Sequence, residues 1–306
     1  MEIKVVTYNI DGLPEQLDLN DLPWLFKPIA WIYKMFKGTT VITVNDNHDT
    51  DKNVLCISNY LSTIGADIVG VQEDFNYHDT LMQCLGDYSS STFTGKIDFS
   101  DVFHSIKWLP YPRFKADGLN LITKSNEVEV KSEEIIPWNK SYGYFTHAND
   151  KLTTKGFRVY TLNVSGVDID VYILHMDADF YNPDTCLDVD GDIEARKSQL
   201  QQLSEYIINR DASRPSIIMG DTNSTEKYEW DRENIKEYLL DPINAIDTLS
   251  IQEAIPSNYV DVDRVFYVNS KNAKTLLKAK ECYYDLEQHW SDHRPLIALF
   301  LVETPT

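Results

Sequence analysis

The stretch "SDHRPLIALFLVE" (residues 291–303) decides how the rest of the chain is read. Its second part, "PLIALFLV" (295–302), is a short continuous apolar run of the kind that forms a buried strand. Asp292 and His293 stand side by side at its mouth. Such a pair is either loop decoration or chemistry held at a strand end.

Working outward, the same design recurs. Short β-branched runs that start or end on a polar residue occupy 3–10, 66–73, 118–124, 157–164, 167–175, 215–221 and 263–268. The two at 157–164 and 167–175 read as a hairpin about "SGVD". Between the runs, 49–65 and 191–210 carry helical spacing, the second with Ile193, Leu200, Leu203 and Ile207 and an acidic first turn. The segment 74–87 is a shorter helix candidate. Strands mixed with helices along the whole chain predict an α/β (α+β) fold, a sandwich of two packed sheets with helices outside. No linker, repeat or low-complexity tract divides it, so 1–306 is expected to be one domain.

Collected in order, the polar residues at the predicted strand ends are Asn9, Asp11, Glu73, His175, Asp221, Asn223, Asp263, Asp292 and His293. Taken singly, Asn9, Asp11 and Asp221 also read as turn or cap residues, and a strand-end histidine as structural. Together they describe a pocket of carboxylates, amides and imidazoles without thiolates. That donor set suits a hard cation such as Mg2+, with Mn2+ as the alternative, and the chemistry of phosphate esters.

Composition narrows the substrate. The 306 residues include 28 Lys and Arg against 48 Asp and Glu, a formal charge of −20. Long nucleic acid is disfavoured by that charge. Cys56, Cys84, Cys186 and Cys282 are scattered without a CxxC pair, which indicates neither zinc nor a redox motif. The chain enters its first strand at residue 3 with no signal-peptide pattern ahead of it, so a cytoplasmic location is the default expectation; a secreted protein whose leader had been removed would read the same. A monomer is expected.

The blocks "TYNIDGLP", "VQED", "YILHMDA", "GDTN", "VDRVFY" and "SDHRPL" resemble, in order and with compatible spacing, those of the endonuclease/exonuclease/phosphatase superfamily with the DNase I-like fold. The resemblance implies a four-layer αββα sandwich and a metal-dependent phosphoric ester hydrolase. It implies that Glu73, with Asn9 and Asp292, holds Mg2+, and that His293 is the general base or orients the attacking water with Asp221. Asp263 would pair with His293, and Asn223 and His175 would bind the phosphoryl oxygens. Asp11 falls on the substrate side.

"HMDAD", a Cys-containing loop and "EARKSQLQQLSEYI", together with "ANDKLTTKGFRVYTL", are similar to bacterial neutral sphingomyelinases. That similarity implies Asp150 and Lys155 as substrate-binding residues and a phospholipid head group as substrate, with a nuclease or DNA-end-processing phosphodiesterase, or an inositol or sugar phosphate phosphatase, as alternatives. The chain departs from the pattern at "VQEDF", where Asp74 takes a position more often apolar.

"LPWLFKPIAWIYKMFKG" (22–38) reads as an insertion at about 20–40, too short and Pro-interrupted to span a bilayer. Its aromatic bulk with Lys27, Lys34 and Lys37 on one stripe fits either a lid over the domain or a contact with a lipid surface. Trp108, Tyr111 and Phe114 add further aromatics.

Overall fold

The computed structural model describes residues 1–12, 49–97, 115–142, 153–178, 190–210, 213–251, 262–270 and 272–303. The expected insertion at about 20–40, Asp150, Cys186 and the aromatics at 108–114 lie outside the described residues.

Twelve strands form two six-stranded sheets. The first has the order β11-β12-β1-β2-β4-β3, built from β1 (Glu2–Asn9), β2 (Ile68–Gln72), β3 (Tyr88–Ser90), β4 (Asn120–Lys124), β11 (Leu276–Tyr284) and β12 (Leu296–Glu303). The second has the order β5-β6-β7-β8-β10-β9, from β5 (Val128–Pro137), β6 (Gly156–Val164), β7 (Val167–His175), β8 (Ser216–Asp221), β9 (Ile246–Asp247) and β10 (Asp263–Val268). Among the described residues, only β1 with β2 and β7 with β8 are parallel.

The central strands are buried on both faces. In β1, alternate residues Ile3 and Val5 pack into the space between the sheets with Tyr160, Leu162, Val171 and Met219. Val6 and Tyr8 point the other way, onto Val54, Ile57 and Leu61 of helix α1 (Thr50–Ile64). These are strands with two apolar faces, as helix-covered sheets require.

Helix α1 starts at Asp49, whose side chain accepts the Lys52 amide at 3.1 Å, and stops at Gly65 in the left-handed region. Its buried residues Val54, Ile57, Ser58 and Leu61 fall at spacings of three and four. A short α2 (His78–Met82) packs beside it. On the far side, α3 (Asp190–Ile208) lays Leu200 and Leu203 against the second sheet with Trp138, Phe157 and Leu174. Leu239 and Ile243, from a helical stretch that starts with α4 (Glu229–Ile235), join them. The layers therefore run helix, sheet, sheet, helix, as the sequence predicts.

Register then fixes the site. Asn9 ends β1 opposite Gln72 of β2, His175 ends β7 opposite Asp221 of β8, and Asp221 faces Asp263 at the start of β10. The chain enters β12 at the same rim, since Leu296 pairs with Thr7.

Candidate active site

Asp221 is the hub. Buried at the end of β8, its Oδ2 accepts from Asn9 Nδ2 at 3.1 Å and lies 3.5 Å from His175 Nε2 and 3.7 Å from His293 Nε2. Its Oδ1 accepts the Asn223 amide at 2.9 Å. One carboxylate thus touches four of the residues that the sequence nominates. Gly220 makes this approach feasible, because a Cβ there would lie 2.0 Å from the Leu174 carbonyl oxygen.

His293 and Asp263 form a dyad, with Nδ1 and Oδ2 2.7 Å apart. Asp263 is fully buried, its backbone carbonyl accepts the Tyr284 hydroxyl at 2.6 Å, and its Oδ1 has no hydrogen-bond partner among the described residues. Burial, offset only in part by His293, raises the Asp263 carboxyl to about 6. Burial alone would lower the His293 pKa, but the Asp263 and Asp221 carboxylates outweigh it and hold the imidazole well above its ordinary value. The Asp263 contact makes Nδ1 the protonated nitrogen and turns Nε2 toward the pocket.

His175 sits in the opposite environment. It is buried, its Nδ1 has no hydrogen-bond partner among the described residues, and Trp138 Nε1 pins its backbone carbonyl at 2.8 Å. Burial, with Lys155 and His293 adding repulsion, drives its pKa well below the ordinary value. Its surroundings therefore favour the neutral imidazole.

Glu73 faces this group across Asn9, whose Nδ2 bridges Glu73 Oε1 and Asp221 Oδ2, each at 3.1 Å. Its backbone φ of 60° is left-handed, which costs a non-glycine residue roughly 1–2 kcal/mol. Asp11 and Asn223, both with φ of 49°, share that region; Asx side chains tolerate it better. Strain of this kind persists where the surroundings hold it. Gly12 is part of the hold, since a Cβ there would meet the Glu73 carbonyl oxygen at 2.3 Å. Desolvation and then the nearby Asp292 raise the Glu73 carboxyl to about 7. Asp292 itself is exposed, its Oδ1 3.3 Å from Ser291 Oγ.

Lys155 and Asn223 share an acceptor. Lys155 Nζ donates to the Met176 carbonyl at 3.1 Å and Asn223 Nδ2 to the same oxygen at 3.0 Å. Lys155 also lowers the pKa of Glu73, which places its charge on the pocket. Asp11 joins the group through its amide, 3.1 Å from Asn9 Oδ1.

A cation is chemically suited to two donor sets. Glu73, Asn9 and Asp292 offer oxygens around a desolvated carboxylate that carries too little positive charge nearby. Among the described residues, Asp221, Asp263 and His293 also place ligand atoms within 4.8 Å of one another. In that second set His293 Nδ1 and Asp263 Oδ2 are already committed to each other, so the Glu73 set fits a hard cation better.

Sequence reading missed the supports. Ser291 Oγ donates to the Asn9 carbonyl at 2.7 Å and receives the His293 amide at 3.1 Å, tying the last loop to β1. On α3, Gln199 brackets Asp177, accepting its amide at 3.1 Å and donating to Oδ1 at 2.8 Å. Arg196, almost fully buried, donates to the Asp177 carbonyl at 3.3 Å and to Asp231 Oδ1 at 3.2 Å. Asp231 in turn accepts the Thr225 amide at 3.0 Å. One arginine therefore braces both the loop after His175 and the loop after Asn223. The only sequence signal was the "EARKSQLQQL" block. The unusual Asp74 is buried and accepts Asn120 Nδ2 and His78 Nδ1, both at 2.7 Å, anchoring the segment that follows Glu73.

No family model and no curated protein matches the chain. Solved structures do. An endonuclease/exonuclease/phosphatase from Bacteroides vulgatus covers 99% of this chain and 100% of its own, with 16% identity and a TM-score of 0.62. The D. rerio TDP2 complexed with a single-strand DNA product covers 98% and 99%, with 15% identity and a TM-score of 0.61. A Staphylococcus aureus beta toxin variant with bound magnesium ions covers 97% and 99%, with 14% identity and a TM-score of 0.57. The fold is thus that of the endonuclease/exonuclease/phosphatase, DNase I-like proteins, over nearly the whole chain.

Proposed function

We propose that this protein is a Mg2+-dependent phosphodiesterase that cleaves a phospholipid head group, with sphingomyelin as the substrate. The observation that carries the hydrolytic reading is the Asp263–His293 dyad aimed at Asp221 and facing Glu73 across Asn9. The magnesium ions bound to the beta toxin variant support the choice of cation.

Glu73, with Asn9 and Asp292, would hold the cation, which supplies charge neutralisation at the phosphoryl group. The remaining steps belong to the side chains. His293 Nε2 accepts the proton of a water that attacks phosphorus in line with the leaving oxygen. Asp263 stabilises the imidazolium that results. Asp221 Oδ2, within reach of His293, orients that water. The bond from phosphorus to the leaving alcohol breaks as the new one forms, and the alkoxide takes its proton from solvent. Neutral His175, Asn223 Nδ2 and Lys155 donate hydrogen bonds to the phosphoryl oxygens as charge develops. Asp11 and Asp150 belong to the substrate side of the pocket in this reading.

The DNA product bound to the TDP2 relative favours a second reading, a nuclease acting on DNA ends. The formal charge of −20 argues against it. Phosphocholine release from sphingomyelin vesicles, measured with Mg2+ and with EDTA and with His293→Ala as control, separates the two. Release that needs both the metal and His293 supports the lipid reading. Cleavage of DNA ends without phosphocholine release replaces it.

A further inference from the structure

Leaving the catalytic rim after Asn223, the chain runs through "STEKYEW" (224–230) and sets two aromatic rings on the surface. Tyr228 and Trp230 are stacked, with centroids 4.6 Å apart and planes 9° from parallel. They remain 36% and 42% exposed. Five residues of chain reach at most about 18 Å, so Tyr228 lies within that distance of Asn223.

The platform is fixed in place. Asp231, next to Trp230, is buried and holds the Thr225 amide and Arg196, which in turn holds Asp177 two residues beyond His175. Glu226 pairs with the buried Arg264 and lends its carbonyl to Arg232. Rings already ordered lose little freedom on binding. Of the other exposed apolar side chains, Tyr283 and Leu286 flank the end of β11, where Tyr284 bonds Asp263.

Amphipathic Tyr and Trp rings partition to the head-group level of a bilayer. The −20 charge repels anionic lipid and nucleic acid alike and leaves a zwitterionic surface as the compatible one. Among the described residues no helix is long and apolar enough to cross a membrane, so docking at this platform is interfacial. We infer that Tyr228 and Trp230 form a docking platform that seats the catalytic rim against a zwitterionic phospholipid surface. This rests on the lipid reading of the function and adds the part of the surface that finds the substrate.

The test uses His293→Ala protein, which leaves vesicles intact, sedimented with phosphatidylcholine–sphingomyelin vesicles in Mg2+. The protein is expected to partition onto them, to lose at least tenfold in partition when Tyr228→Ala and Trp230→Ala are added, and to keep most of it with Tyr228→Phe and Trp230→Phe. With His293 intact, the double alanine variant should hydrolyse bis(p-nitrophenyl) phosphate at the parental rate, which shows that fold and site survive, and lose about tenfold on vesicles. Equal partition of the alanine and parent proteins overturns the platform, as does binding confined to anionic vesicles. Binding of a single-stranded oligonucleotide that the alanine substitutions abolish, without vesicle partition, makes the rings a base-stacking surface instead. Should the intact enzyme cleave the soluble diester but release no phosphocholine, the sphingomyelin reading fails. The sedimentation arm still decides the platform.

Discussion

His175 and His293 stand on the same carboxylate oxygen, 3.5 and 3.7 Å from Asp221 Oδ2, yet have opposite proton affinities. The difference lies behind the rings. His293 has Asp263 on its Nδ1 at 2.7 Å, whereas the Nδ1 of His175 has no hydrogen-bond partner among the described residues and the Lys155 charge is near. Burial penalises the imidazolium at both positions, and at His293 the hydrogen-bonded Asp263 carboxylate, with Asp221, reverses the outcome. One ring is thus set to take a proton and the other to donate a hydrogen bond while staying neutral.

The sharpest way to break this comparison is to remove the base. His293→Ala should lower kcat by about 10³-fold or more, roughly 4 kcal/mol of transition-state stabilisation, with thermal unfolding little changed. An equal loss from His175→Ala, without a difference in pH profile between the two, would reverse the roles of the two rings.

Asp263→Asn comes next, with an expected loss of about 10²-fold. Asp263 raises the His293 pKa, so its removal lowers it. The base must be unprotonated to act, and the acid limb of kcat/KM therefore moves to lower pH. A limb that stays in place would mean that another group titrates.

His175→Ala should cost about 10²-fold in kcat and leave the shape of the pH profile unchanged, because a ring already neutral across that range contributes no ionisation.

Metal binding tests the Glu73 side. Its carboxyl is raised from 4.5 to about 7 in the metal-free protein, so protons compete with Mg2+ below that pH. Apparent Mg2+ affinity should weaken by up to about tenfold per unit as pH falls from 7 to 6. The sign for stability follows from the same shift. A raised carboxyl pKa favours the metal-free fold at low pH, and that contribution is lost as pH rises from 4.5 through about 7. Added Mg2+ should therefore raise Tm more at pH 8 than at pH 6, as calorimetry can establish. Glu73→Gln should abolish the difference.

The smallest effect is expected at Lys155. Lys155→Met removes the proposed phosphoryl contact and a charge near His175, and should reduce kcat/KM by about tenfold while raising the His175 pKa.

The legible part of the fold has a physical boundary. All eight strands that read as apolar runs are interior strands of the two sheets: β12, β1, β2, β4, β6, β7, β8 and β10. The four that did not, β3, β5, β9 and β11, are the four sheet edges. β5 ("VEVKSEEIIP") is exposed along most of its length, as β11 is at alternate positions, and charged residues there protect the open edge. They carry no long apolar run to be read. At the site, Asn9, Glu73, His175, Asp221, Asp263 and His293 were visible because each interrupts an apolar run at its end. Arg196, Gln199, Asp231 and Ser291 were not, because each is tied to the site by a partner 19 to 282 residues away. A helix with Arg196 and Gln199 on its buried stripe looks by pattern like a solvated one.

By itself the sequence determined the eight interior strands, the two long helices, the sandwich of sheets with helices outside and the residue types gathered at one rim, since these follow from which side chains water excludes. Only the tertiary structure decided which imidazole holds a proton more tightly and which less. Proton affinity depends on what stands within 3 to 4 Å of a ring, and 30 residues separate His293 from Asp263, the carboxylate that sets its charge.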